Sequence, residues 1–182
     1  SRDHGATWQR GAEWPADYAL MEYALVDTED GGLYVNQRST EPQRKILRLR
    51  DAEDKSKTQQ REPALPEPVC HAALARLSST KAAGRSRVLF VNPGVANTKK
   101  GFNAETRRQL TVRLSYDDGR TWPVAKVLEE GRAGYADLAV AADGCIYCLY
   151  EEGTARYDEH ISIARFNLEW LTEGKDALQG KP

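Results

Sequence analysis

The sequence is short of several things. In 182 residues it has one Met, three Phe, three His and three Cys, and no surplus of either charge: Lys+Arg 26 against Asp+Glu 27 leaves a formal net charge of −1. A strongly basic nucleic-acid binder is excluded, because that affinity rests on neutralising phosphates. No run reaches the roughly 18 apolar residues of a membrane-spanning helix, so no membrane span is expected. No charged-then-apolar leader is readable from Ser1 onward, which leaves the compartment illegible at that end. Cys70, Cys145 and Cys148 are an odd set in a chain that is 40% hydrophobic and has material for a core, so a disulfide framework is not expected. Cys145-x-x-Cys148 has no companion pair and lies inside the apolar run CIYCLY, which reads as a buried strand. His4, His71 and His160 have no metal-ligand spacing, and no cofactor is expected.

Helical periodicity is also missing. Apolar spacing at i, i+3, i+4, i+7 is hinted at only around Ala72 to Leu77, where a strand fits equally well. What is present is a series of short β-branched or aromatic segments bounded by Gly, Pro, Asp or Asn. They are Ala24–Val26, Leu33–Gln37, Ile46–Leu49, Val88–Asn92, Leu110–Leu114, Leu138–Val140, Ile146–Tyr150 and Ile161–Phe166. The class is all-β. The segment from Glu41 to Glu67, with alternating charges and Pro63 and Pro66, is expected to be a long solvated loop.

Two repeats organise these strands. GLYVNQRS from Gly32, RVLFVNPG from Arg87 and GCIYCLYE from Gly144 superpose at steps of about 55 residues, the size of one four-stranded propeller blade. Ser1-x-Asp3-x-Gly5-x-Thr7-Trp8 recurs, about two steps later, as Ser115-x-Asp117-x-Gly119-x-Thr121-Trp122. Its chemistry is that of a hairpin corner: Asp accepts backbone N–H groups across the turn, Gly takes a positive φ, and Trp packs on the following sheet. LRDAEDKSKT, from Leu49 to Thr58, stands where another corner is expected but lacks the Gly and Trp.

These octapeptides are Asp boxes. With MEYALVDTEDGGLYVNQRS, VNPG followed by RRQLTVRLSYDDGRTW, and GYADLAV followed by DGCIYCLYEEG, the chain resembles the C-terminal half of a bacterial-type sialidase (neuraminidase). The resemblance covers nearly the whole chain and implies a six-bladed β-propeller, of which residues 1–182 supply about three blades and a strand of a fourth. It implies hydrolysis of terminal sialic acids from glycoconjugates, sialylated glycans as partners, and a secreted or periplasmic setting.

The family breaks an α-ketosidic bond at a carbon that also bears a carboxylate. A neutral tyrosine phenol avoids the like-charge approach of an Asp or Glu nucleophile, but with an ordinary pKa of about 10 it needs a base beside it. Matched to the family, the nucleophile is Tyr135 of GYADL and its base is Glu22. Arginine can clamp the substrate carboxylate bidentately where lysine cannot. Arg38 of NQRS matches the second of the family's three arginines, and Arg107 the third. Arg108 competes with Arg107. Neighbours on an extended segment point to opposite sides, so one of the two faces the site; the register prefers Arg107, and a bulge would reverse it.

The family's first arginine and its general-acid aspartate have no counterpart in this chain; Asp3 belongs to a corner, and nothing around Asp17 matches the acid loop. Taken without the resemblance, Glu22 reads as a solvated strand end, Tyr135 as a core tyrosine, and either arginine as a surface charge. Tyr150 fits a pocket wall or the core. Two alternatives remain open: a non-catalytic Asp-box propeller that binds a glycan or protein, and a related trans-sialidase or propeller glycosidase.

Overall fold

The computed structural model describes residues 1, 3–11, 22–54 and 59–178; Asp17 lies outside them. Ten strands carry the fold: β1 Tyr23–Asp27, β2 Leu33–Gln37, β3 Gln43–Leu49, β4 Gln60–Pro66, β5 Ala73–Ser78, β6 Arg87–Pro93, β7 Arg108–Ser115, β8 Val124–Val140, β9 Ile146–Gly153 and β10 His160–Phe166. The helices α1 Thr80–Ala83 and α2 Leu168–Thr172 are single turns, so the all-β expectation holds. One sheet has the order β1-β2-β3-β4 and the other β10-β9-β8-β7-β6-β5.

The second sheet is two units joined through one strand. The first part of the 17-residue β8 pairs with β7, from Leu114↔Val124 to Arg108↔Arg132, and the rest pairs with β9, from Arg132↔Gly153 to Val140↔Ile146. The outer strand of one unit thus continues as the inner strand of the next. The three repeated segments fall on β2, β6 and β9, the second strand of each unit. β6 is buried along its whole length because both faces are covered. Val88 and Phe90 pack toward the first sheet, with Tyr34, Ile46, Leu65 and Trp122. Leu89 and Val91 pack into the main core with Leu110, Val112, Ile146 and Leu168. Strict alternation along the strand produces this division.

Two expectations need correction. The stretch from Glu41 to Glu67 is not a solvated loop: it holds β3 and β4, with residues 55–58 outside the described set. Pro63 and Pro66 mislead because β4 is an edge strand, where a missing N–H need not break the ladder. Its charges mislead because Arg44 and Glu67 bury each other, as described below. Leu138–Val140 is only the end of β8; Gly131 and Gly134 and the Glu129-Glu130 pair interrupt the apolar alternation that would have revealed the rest.

The two Asp-box corners are closed by the same bonds. Asp117 accepts the Ser115 hydroxyl at 2.8 Å and the Thr121 N–H and hydroxyl at 2.8 and 2.7 Å, and Gly119 N donates to Ser115 Oγ. Asp3 does the same with Ser1 and Thr7. His4-Gly5 and Asp118-Gly119 are left-handed pairs, and a Cβ on Gly119 would press on the Tyr34 ring at 3.0 Å. The second corner also ties two units together: Asp118 accepts from Glu29 N, Ser86 Oγ and Arg76, and Arg48 donates to the carbonyls of Asp118 and Gly119. Its Trp122 lies against Phe90 and Tyr34, with centroids 5.6 and 6.2 Å away. Trp8 departs from the expected packing; it is 79% exposed and turns Nε1 onto Gly5 O.

Both ends of the array present apolar side chains to solvent, Tyr23 and Leu25 on β1, and Leu149, Ile161 and Ile163 on β9 and β10. Units of this kind bury such faces against a neighbour. Among the described residues, no helix is long and apolar enough to cross a membrane. Thermal melts of single variants should separate the corners: Trp122→Ala should cost about 3 kcal/mol through lost burial, and Trp8→Ala within about 0.5 kcal/mol. Equal losses would contradict this account of the corners.

Candidate active site

The site is assembled from three strand ends. β1 and β2 pair Tyr23↔Gln37, and the ladder runs one residue further, Arg38 N donating to Glu22 O at 3.0 Å. Glu22 and Arg38, sixteen positions apart in sequence, are therefore cross-strand neighbours. Arg38 Nη1 donates to both Glu22 oxygens, at 2.8 and 2.9 Å. Tyr135 comes from β8, where the ladder with β9 shifts register between Ala133 and Ala136. Its phenol donates to Glu22 Oε1 at 2.5 Å and accepts from Arg38 Nη1 at 3.0 Å. One carboxylate, one phenol and one guanidinium thus touch one another.

Arg107 closes the opposite side. It ends a 3₁₀ turn, Ala104–Thr106, one residue before β7, and its guanidinium lies 5.4 Å from the Tyr135 ring centroid. The rings of Tyr157 and Phe102 flank it at 4.4 and 4.7 Å, and Nη2 donates to Val69 O at 2.9 Å. Arg108 is exposed and points elsewhere. A bulge does fall here, with Gln109 at φ 56°, but it follows both arginines and leaves Arg107 inward. Arg38 follows the second strand of its unit and Arg107 precedes the third strand of the next, ends that lie at the same edge of an antiparallel sheet.

Electrostatics divide the roles. Partial burial opposes ionisation of Glu22, but the hydrogen bond from Tyr135 and the charge of Arg38 outweigh it and hold the carboxyl below its ordinary range. Burial pushes the Tyr135 phenol up; the hydrogen bond to Glu22 and its charge push the same way, against Arg38. At rest the pair is an ionised acceptor and a protonated donor. Arg38 Nε and Arg107 Nε are buried without a hydrogen-bond partner among the described residues, so both cations retain donor capacity.

Sequence reasoning missed two neighbours. His71 lies 5.5 Å ring to ring from Tyr135, and Glu151 Oε2 accepts from Tyr135 N at 2.9 Å. The signal for Glu151 was Gly134, whose absent side chain makes room: a Cβ there would stand 2.2 Å from that oxygen. His71, Tyr135, Asp137, Leu149, Glu151 and Ile161 line an open cleft of about 410 Å³. Tyr150 reaches both the cleft and the main core. The three cysteines are free and buried, as CIYCLY implied, and among the described residues no cluster of His, Cys, Asp and Glu could hold a metal ion.

These contacts fix the direction of a titration experiment. Glu22→Gln removes the negative charge that raises the phenol while leaving Arg38, so Tyr135 should ionise at lower pH, as read by ultraviolet difference titration against a Tyr135→Phe control. An unchanged or higher midpoint would contradict the contact.

Comparison with known proteins bears on the family and the fold. The family model "BNR repeat-like domain" matches residues 1–148. A sialidase of Micromonospora viridifaciens is 33% identical over 94% of this chain and 25% of its own length. An exo-alpha-sialidase of Aspergillus fumigatus is 28% identical over 86% of this chain and 39% of its own. Among solved structures, the Hadza microbial sialidase Hz136 superposes with a TM-score of 0.70 at 27% identity, over 94% of this chain and 32% of that one. The chain spans from about a sixth to two fifths of the length of the curated relatives it matches. Sheet pattern, corners and relatives converge: the chain belongs to the BNR repeat-like domain family, as a partial β-propeller of the sialidase type.

Proposed function

We propose that this chain carries half of the active site of an exo-α-sialidase of the retaining type, acting on sialylated glycans. The observation that carries the reading is the hydrogen bond of 2.5 Å from the Tyr135 phenol to the Glu22 carboxylate, with Arg38 on both. A phenol packed against an ionised carboxylate can lose its proton only as a new bond forms, which suits a nucleophile.

In the first step the phenolic proton passes to Glu22 and the Tyr135 oxygen attacks the anomeric carbon. The bond to the leaving oxygen breaks, and that oxygen takes a proton from a group outside these four residues. Water then attacks the same carbon and gives up a proton to the group that had protonated the leaving oxygen, while Tyr135 departs and Glu22 returns the phenolic proton to it. Two inversions retain configuration. Arg38 stabilises the negative charge wherever it lies along this path, because its Nη1 touches both oxygens between which the proton moves. Arg107, held between aromatic rings, supplies a rigid cation for the substrate carboxylate.

The exposed faces of β1 and of β9–β10, together with the partial coverage of the relatives, support a second element of the proposal. Residues 1–182 are part of one propeller whose remaining blades contribute the family's first arginine and the acid. On this reading the isolated piece is inactive and prone to associate through Leu25, Leu149, Ile161 and Ile163.

Assayed in the complete protein on a fluorogenic α-sialoside, Tyr135→Phe should lower turnover by several orders of magnitude. Arg107→Lys should mainly raise KM, about tenfold or more, while Arg108→Lys leaves it unchanged. Normal turnover in Tyr135→Phe would remove the nucleophile from this site, and a KM effect from Arg108 in place of Arg107 would reverse their assignment.

A further inference from the structure

The segment Pro66 to Cys70 is buried apart from half-buried Pro66, and each of its carbonyls has a named donor. Pro66 O accepts from Asn92 Nδ2, Glu67 O from Asn97 N, Pro68 O from Thr106 Oγ1, Val69 O from Arg107 Nη2, and Cys70 O from Arg44 Nη1. Within it, Val69 has φ 60° and is 3% exposed. A β-branched residue does not choose the left-handed region unless its surroundings impose it.

Beside it lies a buried ion pair. Arg44 and Glu67 are fully buried and 2.7 Å apart. Glu67 Oε1 accepts from Cys70 N at 2.9 Å, while Arg44 Nη1 donates to Cys70 O at 2.7 Å, so the pair grips both polar groups of the residue after Val69. Glu67 Oε2 also accepts from Ser39 N at 2.9 Å, next to Arg38, and Arg44 Nε donates to Asn36 Oδ1. The same two side chains therefore hold the backbone beside one site arginine and the residue next to the carbonyl that meets the other.

We infer that Glu67 and Arg44 are positioning residues: they lock Val69 in the left-handed conformation, which aims its carbonyl at Arg107 and sets the guanidinium for an anion. The catalytic part of this inference rests on the sialidase reading; the structural part does not. If Glu67 is replaced by Gln, one acceptor oxygen becomes a donor facing donors, the grip on Cys70 opens, and Val69 relaxes to negative φ. Arg107 then loses its carbonyl partner and its fixed direction.

The test uses the complete protein with three variants, Glu67→Gln, Val69→Gly and the double variant, assayed for KM and kcat on a fluorogenic α-sialoside, with a crystal structure of Glu67→Gln. The expected result is a KM raised roughly 10- to 100-fold in Glu67→Gln with a smaller change in kcat, the range set by losing a charged hydrogen bond. Val69→Gly alone supplies the reference for the double variant. Relative to that reference the double variant should lose less than Glu67→Gln loses relative to the parent, because glycine takes positive φ at no steric cost once the grip is gone. This smaller loss is the readout that general damage to the core would not produce. An unchanged KM in Glu67→Gln, or a double variant that loses as much relative to Val69→Gly as Glu67→Gln loses relative to the parent, would overturn the positioning role. Should Glu67→Gln fail to fold, Arg44→Lys, which cannot span Asn36, Glu67 and Cys70 together, must raise KM in the same direction or the inference fails. Absence of sialidase activity in the parent would overturn the functional reading instead; the crystal structure still decides the device, which is refuted if Val69 stays left-handed in Glu67→Gln.

Discussion

The geometry of the site hangs on one cross-strand pairing, Glu22 opposite Arg38 at the end of the β1–β2 ladder. The backbone bond from Arg38 N to Glu22 O sets the register, and register alone decides whether the two side chains meet, since a slip of one residue would send them to opposite faces. Once met, they are hard to separate. A partly buried guanidinium without its carboxylate, or the reverse, is an uncompensated charge, and losing a hydrogen bond to a charged group costs about 1.5–3 kcal/mol. Because Glu22 is held below its ordinary pKa, what it contributes to stability is present above the unfolded carboxylate value and disappears as pH falls through the lowered one. The pair is also the receptor for Tyr135, 113 residues from Glu22 in the chain. A third unit of the fold is thereby tied to the first through the atoms that would do chemistry.

Behind this front lies a second layer built on the opposite principle. Arg38 and Arg107 keep buried donors unpaired, while behind them every carbonyl from Pro66 to Cys70 is taken, and Arg44 and Glu67 bond both backbone groups of Cys70, the residue after Val69. Strained backbone of the kind seen at Val69 costs of order 1–3 kcal/mol and persists only where its surroundings over-determine it. Arg38 spends one nitrogen on Glu22 and keeps Nε, so the site holds its own carboxylate and still has a donor left for an incoming anion.

Much of this was legible from residues. The period of about 55 located the second strand of each unit, the Asp boxes located the corners, and the resemblance brought Glu22, Arg38, Tyr135 and Arg107 forward as a set that the fold does gather. What stayed hidden shares one physical cause: polarity was taken for exposure. Arg44, Glu62 and Glu67 look like the charges of a solvated loop and are buried, because each partner that satisfies them is distant in sequence or belongs to the backbone. Pro63 and Pro66 look like breakers and sit on an edge strand. Glu151 is one carboxylate of many until Gly134 shows the space it needs. Trp8 and Trp122 share one motif and have opposite surroundings, so the motif encodes the corner and leaves its packing to whatever adjoins it.

The central claim is that the Tyr135 oxygen forms the bond to the sugar. It is tested most directly by treating the complete protein with a fluorinated sialosyl fluoride, whose glycosyl-enzyme hydrolyses slowly, and mapping the adduct by mass spectrometry. The account predicts one added sialosyl group on the peptide that contains Tyr135, absent after Tyr135→Phe. A label on Glu22 or on another residue, or full turnover of an ordinary sialoside with no residue labelled, would contradict it.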